Sequence, residues 1–107
     1  MSKPQFLYLT TQGWKSGKQH RIEIWFVDYN ERYYIISEHL EGAHWVQNIK
    51  HNAEVSFSIN NNVIRGTARI VDQEKESALA AEVLKLMDRK YKWNQGLIVE
   101  LSPINST

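Results

Sequence analysis

Residues 9–27 read LTTQGWKSGKQHRIEIWFV, and this stretch sets the pattern for the chain around it. The run Phe6–Thr11 is apolar and aromatic until it reaches two threonines, the composition of a short strand. Gln12–Gln19 follows, with Gly13 and Gly17 bracketing Trp14, Lys15 and Ser16. From His20 to Asp28 the chain alternates, with Ile22, Ile24 and Phe26 on one face and Arg21, Glu23, Trp25 and Val27 on the other. Alternation of this kind predicts a second strand, so the glycine-bracketed loop joins two strands.

Working outward, Tyr29-Asn30-Glu31 has the composition of a hairpin turn, and Arg32–Ser37 returns as a strand rich in Tyr and Ile. Ser37–Gly42 breaks the pattern. Ala43–His51 carries Trp45, Val46 and Ile49 at helical spacing, with Asn52 suited to left-handed geometry at the helix end. Ala53–Asn60 and Val63–Val71 alternate again around a turn expected at Asn61-Asn62. Asp72 is placed to cap a helix from Gln73 to Lys90, whose apolar stripe includes Leu79, Ala80, Val83 and Met87. Leu97–Leu101 reads as a last strand, ended by Pro103. The expectation is a mainly β (α+β) single domain over residues 1–107. Its six antiparallel strands would curl into a small barrel with two helices.

Composition narrows the chemistry. The chain of 107 residues is 42% hydrophobic and 11% aromatic, enough for a small core, and contains no Cys. Disulfides, thiolate nucleophiles and thiolate metal sites are thereby excluded. No long apolar segment follows the positive start and no run is long enough to span a bilayer, so a cytoplasmic protein is expected. The formal net charge is +1, with four basic and no acidic side chains in residues 1–22 and nine basic against twelve acidic in the rest. A nearly neutral total argues against nucleic acid as a partner. The basic cluster on the loop reads either as a solvated turn or as an anion site. Glycine lets backbone N–H groups turn inward, while Ser16, Lys15 and Arg21 supply donors and charge. The spacing of a P-loop is absent. His39, His44 and His51 lack a carboxylate placed to complete a metal site, so no metal is expected. No nucleophile with its base is recognisable, which points any catalysis toward a cofactor.

The blocks LTTQGWKSGKQHRIEIWFV, RYYIIS, HWVQNIKHNAEVSFSI and IRGTARIV, in this order, resemble the deazaflavin-dependent nitroreductase family. That family belongs to the flavin-binding split-barrel group, which also contains pyridoxamine-phosphate oxidases. The resemblance runs from about Leu7 to Val71, with Ile98–Leu101 also fitting. It implies an FMN-binding type of split barrel and a homodimer with its pocket at or near the subunit interface. It also implies that Lys15, Ser16 and Gly17 hold the anionic tail of the cofactor, with Trp14 beside them at a cofactor-binding position but without the phosphate contact an Arg would make there. The strand from His20 through Arg21, Ile22, Glu23, Ile24 and Trp25 would lie along the cofactor ring. Ser37, Glu38, His39, His44, Trp45 and Asn48 would close the other side. The chain departs from the family pattern in four places. Trp14 and His20 stand where Arg is usual, Glu23 where Pro is common, and Glu38-His39-Leu40-Glu41-Gly42 replaces a glycine-rich turn. These differences leave the nitro substrate open and fit either coenzyme F420 (8-hydroxy-5-deazaflavin) or FMN.

The expected activity is hydride transfer between the bound cofactor and a small electron-poor acceptor: a quinone, a nitro compound or an activated alkene. The alternative is a non-catalytic carrier or sensor of a flavin, haem or other planar ligand. Tyr91, at the end of the second helix, is the candidate proton donor. Trp45 reads equally as a core residue and as a cofactor wall.

Overall fold

The computed structural model describes residues 6–13, 15–38, 44–93 and 95–104. The elements follow the order β1 (Phe6–Gln12), β2 (Gln19–Trp25), β3 (Val27–Tyr29), β4 (Arg32–Ser37), α1 (His44–His51), β5 (Glu54–Ile59), β6 (Asn62–Ile70), α2 (Ser77–Tyr91) and β7 (Leu97–Pro103). The seven strands form one sheet in the order β2-β1-β5-β6-β7-β4-β3, with every pairing antiparallel. β2 and β3 stand at opposite ends of that order yet are separated in sequence only by Phe26. The sheet therefore curls until its two ends meet at one residue, and among the described residues β2 has a neighbouring strand on one side only. This is a split β-barrel.

The single strand expected over His20–Asp28 is thus two, and the count rises from six to seven. The alternation fails at Phe26-Val27, where both side chains are buried. Phe26 enters an apolar cluster with Leu7, Leu9, Ile35, Phe57 and Leu101, which fills the barrel and takes in Trp45, Val46 and Ile49 of α1. Val27 enters a second cluster with Tyr34, Ile36, Ile98 and Val71, covered by Ala80, Val83 and Met87 of α2. Successive residues of a strand point to opposite faces, so two adjacent buried residues need apolar matter on both faces. The second helix supplies it.

Other boundaries shift for local reasons. Asp72 does not cap α2. Its Oδ1 accepts from the backbone N–H groups of Glu74 and Lys75, closing a turn, and the helix begins four residues later than expected, at Ser77. Asn52 is not left-handed; its Oδ1 accepts from the Glu54 N–H and starts β5. The hairpin turn lies at Asn60-Asn61, both at positive φ (51° and 68°), with Ile59 paired to Asn62. Asn30-Glu31 makes the same two-residue turn at 52° and 64°. Two positive φ values match the twist of the flanking strands.

A polar network ties the barrel wall to the start of α2. Glu100 of β7, 7% exposed, accepts from the Tyr34 hydroxyl at 2.8 Å and from Arg69 at 3.2 Å. The other edge of the Arg69 guanidinium donates to Glu76 at 2.6 and 3.0 Å. Burial alone would raise the Glu100 carboxyl, but the hydrogen bonds from Arg69 and Tyr34 hold it below its ordinary value. Burial, reinforced by this carboxylate, pushes the Tyr34 hydroxyl well above the usual phenol range. No described helix is long and apolar enough to cross a membrane.

Candidate functional site

The loop ahead of β2 is closed on itself. Gly17 N–H donates to the Gly13 carbonyl at 2.8 Å, Gly13 N–H donates to the Lys18 carbonyl at 2.7 Å, and Lys18 N–H donates to the Ser16 hydroxyl oxygen at 3.2 Å. Gly17 carries the turn at φ 71°, a backbone region that other residues enter at a cost. Closed by these three hydrogen bonds, the loop leaves Lys15 and Lys18 exposed.

Facing this loop, α1 starts at His44. A recess of about 580 Å³ lies between them, lined by Gly13, Lys15, Ser16, Lys18, Gln19 and His20 on one side and His44, Gln47 and Asn48 on the other. The His20 and His44 rings meet edge to face at 6.5 Å between centroids. Two ammonium groups, a hydroxyl and two imidazoles in one recess form a donor set for an anion of several charges. Asn48 is buried, and its side-chain amide donates to the buried Thr11 hydroxyl at 3.0 Å, which fixes α1 against β1.

Farther along β2 the chemistry reverses. A second recess, about 500 Å³, is lined by Ile22, Glu23, Ile24 and Trp25 of β2, Ile36 and Ser37 at the end of β4, Glu38, Trp45 of α1, and Phe6, Met87 and Trp93. Consecutive residues of β2 line it because the strand's unpaired edge borders it. An edge strand exposes backbone N–H and C=O groups along its length, so a flat heteroaromatic ring lying here finds apolar walls and backbone hydrogen-bonding groups together. Trp45 is 7% exposed and belongs both to the barrel core and to this wall. The two readings open for it describe one position.

Of the residues expected at the site, the structure brings together Lys15, Ser16, His20, His44 and Asn48 around the cationic recess. Ile22, Glu23, Ile24, Trp25, Ser37, Glu38 and Trp45 gather around the apolar one. Gly17 shapes the loop and lines neither recess. Arg21 points to the opposite face of the sheet, its guanidinium 4.5 Å above the Tyr8 ring. Tyr91 lies outside the recesses, its hydroxyl donating to the Phe26 carbonyl. Trp14 and His39 fall outside the described residues. Among the described residues no three His, Asp or Glu side chains are grouped to hold a metal ion.

Sequence reasoning missed Lys18, Gln19 and Gln47 in the first recess and Phe6, Ile36, Met87 and Trp93 in the second. Lys18 carried a signal, as part of the basic cluster on the loop. Met87 and Trp93 carried none, since their arrival beside β2 depends on how α2 docks.

The sequence matches the family model described as F420H2-dependent quinone reductase over residues 1–98. No curated protein matches it. Among solved structures, the chain is similar to an F420-H2 dependent reductase at 26% identity, with a TM-score of 0.63 over 92% of this chain and 94% of that one. It is similar to an F420 reductase at 22% identity and a TM-score of 0.69, over 97% of this chain and 90% of that one. HutZ, the haem storage protein of Vibrio cholerae, gives 17% identity and a TM-score of 0.78, over 95% of this chain and 83% of that one. The last two likenesses are of fold alone.

Proposed function

This chain belongs to the F420H2-dependent quinone reductase family, and from that premise we propose that it holds coenzyme F420 in the cleft between β2 and α1 and reduces a small quinone there. Members of the family are deazaflavin-dependent oxidoreductases with coenzyme F420 as their cofactor. The observation that carries the reading is the division of the cleft. A cationic recess and an apolar recess follow each other along one strand, and the cofactor likewise joins an anionic tail to a flat ring.

On this reading Lys15, Lys18, Ser16, His20 and His44 bind the tail, with Gly17 setting the loop. Charge-assisted hydrogen bonds from two lysines supply most of the affinity, and the Ser16 hydroxyl adds a neutral donor. The edge of β2 at residues 22–25 and the Trp45 wall orient the ring, while Glu23, Ser37 and Glu38 offer acceptors at its rim. The bound coenzyme supplies the hydride. The chain's own contribution is to hold ring and acceptor in contact and to exclude water with Ile22, Ile24, Ile36 and Met87. No covalent bond to the protein is involved. We assign Tyr91 no proton transfer, because its hydroxyl is committed to a backbone carbonyl.

We also propose that the chain works as a single-domain homodimer. Phe6, Tyr8 and Val63 are 44%, 40% and 74% exposed on the outer face of the sheet, an apolar surface that a second copy would cover. Light scattering at micromolar protein tests this, and a monomer mass would overturn it.

The activity is tested by titrating purified protein with coenzyme F420 and with FMN, then following consumption of the reduced coenzyme on adding menadione. Preference for F420 and quinone-dependent oxidation are expected. Tighter binding of FMN would overturn the cofactor assignment. Binding without turnover would make the chain a carrier.

A further inference from the structure

The junction where the barrel closes lies under the last turn of α2. Tyr91 donates its hydroxyl to the carbonyl of Phe26, the one residue between the two ends of the sheet. The Tyr91 ring lies flat on the Trp25 indole, with centroids 4.7 Å apart and planes 5° from parallel. Lys90 of the same turn holds its ammonium 5.2 Å from the centre of the Phe26 ring, and Lys92 ends the helix in left-handed geometry. Trp25 is 37% exposed on an edge strand, a setting in which an indole ordinarily samples several rotamers. Here one side of it meets Tyr91 and another meets Phe6, tilted at 41° and 6.1 Å away. Trp25 also lines the apolar recess, together with Trp93.

We propose that Tyr91 is a positioning residue for the acceptor. Its stack and hydrogen bond hold Trp25 as a fixed wall, and that wall selects flat, electron-poor aromatic acceptors over bulky or non-planar ones. The inference rests on the quinone reductase reading for its substrate class. An electron-rich indole stacks well on an electron-poor ring, and a wall already ordered before binding spares the acceptor the cost of ordering it. Tyr91 acts through Trp25, without touching the acceptor. The cationic recess is built by other residues, so the hold on the cofactor tail is independent of Tyr91.

The test compares wild type with Tyr91→Leu, Tyr91→Phe, Trp25→Leu and the double variant Tyr91→Leu/Trp25→Leu. In coenzyme-driven turnover, Tyr91→Leu is expected to raise KM for menadione about tenfold. It should narrow the preference for menadione over a non-planar activated alkene, with affinity for inorganic pyrophosphate, a probe of the cationic recess alone, within twofold of wild type. Tyr91→Phe keeps the stack and should recover most of the preference. Trp25→Leu should lose as much as Tyr91→Leu, and the double variant should lose no more than either, the signature of one shared route. A second readout needs no turnover: quenching of tryptophan fluorescence by menadione in cofactor-free protein should weaken equally in Tyr91→Leu and Trp25→Leu. Additive losses in the double variant, or an unchanged preference in Trp25→Leu, would overturn the proposal, and the Trp25 variant decides it even if Tyr91→Leu fails to fold. A wild-type protein that reduces no quinone would instead defeat the functional reading, leaving the quenching comparison to decide whether Tyr91 orders Trp25.

Discussion

The two ends of β2 are built by opposite means. At its start, a loop closed by its own hydrogen bonds carries Lys15, Ser16 and Lys18 within a few residues of sequence. At its far end, the recess draws Phe6, Trp25, Ile36, Trp45, Met87 and Trp93 from separate parts of the chain. A self-closed loop can lose a side chain while the barrel stands. A wall assembled from remote elements shares Ile36, Trp45 and Met87 with the two cores, and altering those residues disturbs folding and binding together. The two ends should therefore respond differently to mutation.

The largest effect is expected at the shared wall. Trp45→Ala should cost about 3–5 kcal/mol of stability, the range for deleting a large buried aromatic side chain, measured by urea unfolding. Trp45→Phe should cost far less stability yet weaken coenzyme binding if the indole touches the ring. Unchanged affinity in that variant would make Trp45 core alone. Next comes Gly96, at φ 136°, where an added Cβ would strike Ile36 Cγ2 and the Ser37 carbonyl oxygen behind the apolar recess. Gly96→Ala should lose about 2–3 kcal/mol through strain and overpacking. Affinity for inorganic pyrophosphate, a probe of the cationic end alone, should stay at the wild-type level. If pyrophosphate binding falls as well, the two ends are mechanically coupled and the contrast fails.

Lys15→Ala should behave in the opposite sense. Coenzyme affinity should fall by about 2 kcal/mol, as for loss of a charge-assisted hydrogen bond, with the unfolding midpoint unmoved because Lys15 is exposed. Equal affinity in a titration would return the loop to plain solvated surface. The smallest effect belongs to a region outside both ends. Because the Glu100 carboxyl is held below its ordinary 4.5, it stabilises the fold above that value, and the contribution is lost as pH falls through its folded-state pKa. Arg69 is half exposed, so solvent screening limits the gain to about 1 kcal/mol. Melting temperature should drop in acid, and Glu100→Gln should flatten that slope. An identical pH profile in the variant would remove Glu100 as its source.

Much of the fold was legible because its signals are local. The hairpins followed from Asn residues between alternating runs, and α1 from the spacing of Trp45, Val46 and Ile49. The break at Phe26 was not legible. An unbroken alternation and a strand that changes core read alike until the partner of Val27 is known, and that partner lies on α2. Asp72 misled for a related reason. A side chain that caps a helix and one that closes a turn bond the same backbone donors two and three residues on, and only the docking of α2 decides which one forms.

The sequence by itself determined the cationic loop, the strand that follows it and the family, because these depend on neighbours in the chain and on short ordered motifs; that this strand is an edge of the sheet came from the strand order. Only the tertiary structure decided that Arg21 turns to Tyr8 on the far face, that Met87 and Trp93 complete the apolar recess, and that the Tyr91 hydroxyl is bound to Phe26. Strand periodicity assigns a side chain to one of two faces, but what waits on that face is set by long-range packing. The curl that joins both ends of the sheet at Phe26 brings residues 6, 25, 45 and 93 to one place.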